Sequence, residues 1–192
     1  MLETLIELDK ALFLTLNGWN NAFLDILMPF ASGKLSWIPL YAFIIFMLFF
    51  RKDWRKAALA LVCTCLVFAV CDSVSFAAKN YFERWRPLFD PEIGPMVRVL
   101  EGGGDYGFVS GHAANVFGIA MFTSFYVKHR WYSVLMFAWA FLVSYSRIYV
   151  GKHFPGDVLV GAIFGILVAA AFCFCYSRFE AFMDKRNHHP KI

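Results

Sequence analysis

The sequence predicts an all-α fold, a polytopic transmembrane helical bundle of five or six spans with an amphipathic or re-entrant helical segment at its N-terminus. Three observations predict it. The 192 residues are 60% hydrophobic and only 17% charged, with a mean hydropathy of +0.57, whereas a soluble domain is roughly half apolar and about a quarter charged. Several apolar runs approach the ~20 residues needed to cross a hydrocarbon core. The basic residues, finally, gather in short connections between those runs. A chain of this length is about one domain, so a single site is expected.

Residues 5–32 come first and are mixed, their apolar side chains interrupted by Asn17, Asn20, Asn21 and Asp25. They read as one or two helices in the interface or re-entering the bilayer, with Trp19 near the headgroups and a sixth span as the alternative. Glu3, Glu7 and Asp9 are the opposite of a basic leader, so no cleavable signal is expected. Residues 35–50, 57–78, 131–150 and 156–176 are the strong spans. Residues 113–127 form a shorter one that can borrow length from 110–128. The predicted organisation is therefore a single domain with interfacial helices over 1–33, a transmembrane core over 35–178 and a basic tail over 179–192. Cys63, Cys65, Cys71, Cys173 and Cys175 lie inside apolar runs and read as small buried hydrophobes.

Charge placement gives the orientation. Arg51, Lys52, Arg55 and Lys56 occupy one turn, Lys128, His129 and Arg130 another, and Arg178, Lys185, Arg186 and Lys191 the tail. With alternating spans these share one side, which the positive-inside rule makes cytoplasmic. His129, His188 and His189 belong to that basic side and carry no expected chemistry. Residues 79–112 and 146–157 then emerge together on the opposite face, outside the cytoplasm.

Three stretches there hold costly polar residues: Lys79 through Arg86-Pro87, Ser110-Gly111-His112, and Ser146-Arg147 followed by His153 and Asp157. Lys79, Arg86 and Arg147 form a cationic cluster suited to phosphate oxygens. Ser110 and Gly111 precede a helix whose N–H groups and dipole favour the same anion. His153 stands before Pro155, a residue suited to a first helical turn, and Asp157 four residues on can reach back to hold the imidazole. A carboxylate that fixes the tautomer frees the other nitrogen to attack phosphorus, while His112 can protonate the leaving oxygen and later deprotonate water. Singly, each residue has a duller reading as a snorkelling cation, turn, cap or first-turn acid. Eight of them on one face at these spacings do not.

The order Lys, six residues, Arg-Pro; Ser-Gly-His; then Ser-Arg, five residues, His, three residues, Asp resembles the type 2 phosphatidic acid phosphatase superfamily, in its bacterial membrane branch, over residues 72–157. The resemblance implies that Lys79, Arg86, Ser110, Gly111 and Arg147 bind phosphate, that His112 is the acid, His153 the nucleophile and Asp157 its partner, with no metal or other cofactor. One departure is Val109, where the family usually has proline; a small effect on geometry is expected. The implied activity is a lipid phosphate or pyrophosphate phosphatase of the inner membrane facing the periplasm, working through a phosphohistidine. Size favours undecaprenyl pyrophosphate, with phosphatidylglycerol phosphate, phosphatidic acid or a lipid A phosphate as other substrates. A lipid phosphotransferase with the same intermediate is the nearest rival. Soluble vanadium haloperoxidases share the site pattern, but the apolar spans argue against them. An inactive lipid-binding or transport protein is opposed by the intact His112, His153 and Asp157. Expected partners are the phosphorylated lipid and the bilayer, with no nucleic acid and no obligate protein.

Asp72 lies two turns before Lys79 and reads as a bundle lock rather than a reacting group. Glu101-Gly102-Gly103-Gly104-Asp105 lacks a following Gly-Lys-Ser/Thr, so it reads as a hinge over the site, not a nucleotide loop.

Overall fold

The computed structural model describes residues 2–188. His189 and Lys191 of the expected basic tail lie outside them, as do the side chains of Arg186 and His188. Seven α-helices occur among the described residues: α1 (Leu2–Gly18), α2 (Ala22–Ser32), α3 (Ile38–Phe49), α4 (Trp54–Phe82), α5 (Gly111–Val127), α6 (Arg130–Tyr149) and α7 (Pro155–His188). No strand accompanies them among these residues; one isolated antiparallel bridge joins Trp85 to Tyr106.

Helix boundaries follow from local chemistry. Asp53 starts α4 by accepting from the N–H groups of Arg55 and Lys56 at 3.0 and 3.2 Å, a side-chain cap on otherwise orphaned donors. Glu83 ends it in the left-handed region at φ 47°. Ser110 caps α5, and Pro155 opens α7 with no donor to lose.

α5 is the axis of the molecule. It packs against α4, α6 and α7, and small residues let α7 come close: a methyl added to Gly165 would overlap the Ala114 carbonyl oxygen. The core runs through Ala60, Val67 and Cys71 of α4, Phe117 and Phe122 of α5, Tyr132, Met136 and Trp139 of α6, and Ala169 of α7. Outside it, α4 and α7 turn Leu66, Phe76, Ile163 and Leu167 outward. Apolar surface on both sides of the bundle wall suits lipid as solvent.

By length and apolarity α4 and α7 can each cross a membrane, and a third span results if α2 and α3, bent by 83° at their break, count as one. That is fewer than the expected five or six. α5 has only 17 residues and is mostly enclosed, so it needs little lipid-facing surface, and the apolar run of α6 is interrupted by Ser144, Ser146 and Arg147. Residues 35–50, expected as one span, begin with a one-turn 3-10 helix before α3, and 57–78 extends at both ends into α4.

Alternation of direction brings one set of helix ends together. Lys52, Asp53, Lys56, Lys128 and Glu180 surround one small pocket, and Lys56 pairs with Glu180 and Asp184 at 3.2 and 2.9 Å. The C-terminal ends of α4 and α6 and the N-terminal ends of α5 and α7 form the opposite pole.

Candidate active site

All eight residues singled out in the sequence lie at that opposite pole. Lys79 is in the last turn of α4, and Arg86 follows in the loop. Ser110 and Gly111 begin α5 with His112 next, Arg147 is in the last turn of α6, His153 lies in the α6–α7 turn, and Asp157 is in the first turn of α7.

Backbone hydrogen bonds lock the three blocks together. Ser110 N–H donates to the Asp157 carbonyl at 3.0 Å, and His153 N–H to the Arg147 carbonyl at 3.2 Å. Arg86 N–H donates to the Asp105 carbonyl and Gly107 N–H to the Arg84 carbonyl, both at 2.9 Å, around the Trp85–Tyr106 bridge. Gly107 therefore roofs the site, and a methyl there would lie 3.0 Å from Asp157 Oδ2, 3.2 Å from Arg86 Cγ and 3.5 Å from His153 Nδ1. Gly111 gives comparable access, since a methyl on it would reach within 3.8 Å of Lys79 Nζ. Gly151, at φ +85°, makes the turn into His153 where a side chain would meet the Arg98 carbonyl.

His153 and Asp157 are buried side by side, with Nδ1 3.6 Å from Oδ2. Burial pushes the imidazole well below its ordinary 6.5, and the positive charges of Arg147, Arg86 and Lys79 push it further. The resting imidazole is thus neutral at physiological pH, the form able to attack phosphorus. Burial also lowers the Arg86 guanidinium, against the pull of Asp157 and Asp105. Its Nε donates to the Tyr106 carbonyl at 3.0 Å, which holds the fork in place. Arg147, nearly inaccessible, donates from Nη1 to Ser32 Oγ, and its Nε has no protein partner. A buried cation with spare donors calls for an anion.

The sequence reading passed over four residues here. Arg84 Nη1 donates to Asp157 Oδ1 at 2.6 Å, so Asp157 is held from two sides. Asp9 of α1 pairs with that same Arg84 at 2.7 Å. Ser32, at the end of α2, links Arg147 to Glu101 by donating at 3.0 Å to Glu101 Oε2. Glu101 itself, quoted earlier only within the glycine-rich hinge, pairs with Lys152 at 2.6 Å and stands 3.7 Å from Arg147. Burial would raise its carboxyl, but Lys152, Ser32 and Arg147 together outweigh this and hold it below the usual range. Arg84 sits inside a quoted block, so the excess of basic residues there was a signal. Asp9 and Ser32 lie about 70 or more positions from their partners and carry no local pattern.

Asp72 accepts from Asn115 Nδ2 at 3.2 Å, a partner within the bundle as expected. An apolar cavity of about 370 Å³ opens from His112 and Lys34 and runs past Asn115, Cys65 and Phe68 to Trp139. Among the described residues no three His, Cys, Asp or Glu side chains are placed to hold a metal ion.

Comparison with known proteins gives a consistent picture. The family model of the PAP2 superfamily matches residues 60–181. A lipid A 4'-phosphatase of Bacteroides thetaiotaomicron is 38% identical over 175 residues, covering 86% of this chain and 75% of that protein. The lipid A 4'-phosphatase of Porphyromonas gingivalis is 35% identical over 170 residues, covering 87% and 72%. Among solved structures, the transmembrane PAP2 type phosphatidylglycerolphosphate phosphatase from Bacillus subtilis superposes with a TM-score of 0.68 at 26% identity, over 93% of this chain and 87% of that one.

Proposed function

Because the chain belongs to the PAP2 superfamily and is an integral membrane phosphatase, we propose that it removes phosphate from a phosphorylated saccharide lipid of the lipid A type through a phosphohistidine at His153. The observation that carries this reading is the convergence of Lys79, Arg86, Arg147 and the N-terminus of α5 on the buried His153–Asp157 pair, beside an apolar cavity that begins at His112. Similarity to two lipid A 4'-phosphatases moves the headgroup preference away from undecaprenyl pyrophosphate, which size alone favoured.

The cycle needs no group beyond the chain and water. His153 Nε2 attacks phosphorus, and the bond to the lipid oxygen breaks as His112 gives that oxygen a proton. Asp157 steadies the imidazolium that forms; its 3.6 Å separation from Nδ1 tightens as charge develops. Lys79, Arg86, Arg147 and the α5 N–H groups hold the equatorial oxygens, the principal source of rate enhancement in phosphoryl transfer. Water then attacks phosphorus, gives a proton to His112, and releases phosphate and free His153.

Five spans, α3 to α7, fit the alternation of direction, with residues 1–33 in the interface and residues 179–192 as the basic tail. The site then faces the periplasm from the inner membrane, opposite the basic pole.

A panel of lipid A, undecaprenyl pyrophosphate, phosphatidylglycerol phosphate and phosphatidic acid, assayed for phosphate release with chelator present, tests the reading. Release is expected to be fastest from lipid A, and His153→Ala is expected to abolish it. Undiminished release by His153→Ala defeats the mechanism, and phosphate appearing only on addition of an acceptor lipid marks a phosphotransferase.

A further inference from the structure

One stripe of α1 is turned toward the chain that carries His153. Asp9, Phe13 and Asn17 recur every four residues and share a face. Asp9 Oδ1 accepts from Gly156 N–H at 2.7 Å, and its Oδ2 accepts from Arg84 Nη2 at 2.7 Å. Phe13, wholly buried, meets Phe154 edge-on at 5.4 Å. Asn17 Nδ2 donates to the Tyr149 and Arg98 carbonyls at 2.9 and 3.0 Å, and its Oδ1 accepts from Arg98 N–H at 2.9 Å. The Arg84 guanidinium lies over the Phe154 ring at 4.5 Å while Nη1 reaches Asp157.

Asp9, Arg84, Asp157 and His153 are therefore consecutive links, two carboxylates sharing one guanidinium. The charge balance gives this consequence. Lys79 of α4, Arg86 of the loop and Arg147 of α6 present positive charge to His153, Asp157 of α7 is its acid, and His112 of α5 is the other titratable group nearby. Arg84 alone would neutralise Asp157 and leave the imidazolium with no net negative partner. Asp9 balances Arg84, so one negative charge of the triad remains for the imidazole.

We propose that Asp9 is a positioning residue for the nucleophile, acting through Arg84 and Asp157 to orient the His153 imidazole and to keep Asp157 available to the imidazolium that forms. The assignment rests on the reading of His153 as nucleophile. It gives the N-terminal helix a part in the reaction although α1 carries no reacting group.

Two isosteric variants test it, through the pH profile of kcat with a lipid phosphate. Asp9→Asn keeps an acceptor for Gly156 N–H and removes the charge. Its kcat is expected to fall about tenfold with KM within about twofold, as for removal of a group that supports a reacting residue, and its acid limb moves to lower pH. Arg84→Gln keeps a donor to Asp157 and removes the positive charge, so its acid limb moves to higher pH. The Asp9→Asn direction is the diagnostic one; should that variant not fold, Asp9→Ser, which also removes the charge and keeps an oxygen acceptor, carries the same expectation. The double variant is expected to lose no more kcat than Asp9→Asn. Acid limbs that stay in place or move the same way, or losses that add, overturn the assignment. His153→Ala in the same series separates the two ideas. If it retains activity, the proposed function fails; if it is inactive while the Asp9 and Arg84 limbs do not move, only the positioning role fails.

Discussion

His153 is buried, and it is surrounded by more positive charge than negative; burial first and the cations second hold its imidazole well below 6.5. Two measurable consequences follow. The kcat/KM profile is expected to stay level as pH falls to 6.5, because the attacking nitrogen remains unprotonated there. Arg86→Gln removes one opposing cation, so its acid limb is expected at higher pH than the native limb, with kcat/KM lowered about 100-fold by loss of an oxyanion contact. Comparing variant with native enzyme cancels the substrate's own ionisation; an unmoved limb would show that Arg86 does not act on His153. Stability follows the same sign. An unfolded chain titrates this residue near 6.5 and the folded one only lower, so the unfolded state takes up the extra proton between the two values. That contribution to stability is present above pH 6.5 and is lost as pH falls through the window.

α7 meets α5 through Gly161 and Gly165, small residues one turn apart that let two backbones touch. A methyl on Gly161 would lie 2.5 Å from the Ser110 carbonyl oxygen, and one on Gly165 would be 2.9 Å from the Ala114 carbonyl carbon. Gly165→Ala is expected to destabilise the bundle by about 1–3 kcal/mol, the cost of overpacking, seen as a lower unfolding temperature in detergent. Gly161→Ala presses on the Ser110 turn instead, so its activity is expected to fall by a larger factor than that of Gly165→Ala at equal folded fraction. Reversal of that order would detach the turn from catalysis. These helices were legible in the sequence because long apolar runs betray them, and the motif residues were legible because each sits at the end of such a run. The break at Ser32-Gly33-Lys34 was legible too, as a polar interruption between residues 5–32 and the span from 35, but the 83° bend of the axis across it was not. Nor was the docking of α1: Asp9 and Asn17 look like solvated polar residues until Arg84 and the Tyr149 carbonyl arrive from distant parts of the chain.

For the molecule as a whole, the question is how a headgroup reaches a polar pole while its tail stays in hydrocarbon. Beside the bend between α2 and α3, the cavity is lined by Lys34 and His112 and by residues of α3, α4, α5 and α6. Its lining is polar at Lys34 and His112, near the helix ends of the site, and apolar at Cys65, Phe68, Ile119 and Trp139 farther along the helices. A phosphate held at His112 would therefore leave an attached acyl chain pointing into an apolar slot, so the tail keeps hydrocarbon-like surroundings and the slot selects by shape rather than by removal from water. Cys65 is exposed on that slot and belongs to α4 at some distance along the helix from Lys79. Cys65→Trp fills the slot without altering charge at the pole. The ratio of KM for a long-chain lipid phosphate to KM for a short-chain phosphate monoester is expected to rise about tenfold, the scale at which apolar pockets discriminate. Parallel changes in both KM values would instead mean that the tail lies along another face, and that this cavity serves only the packing of the bend.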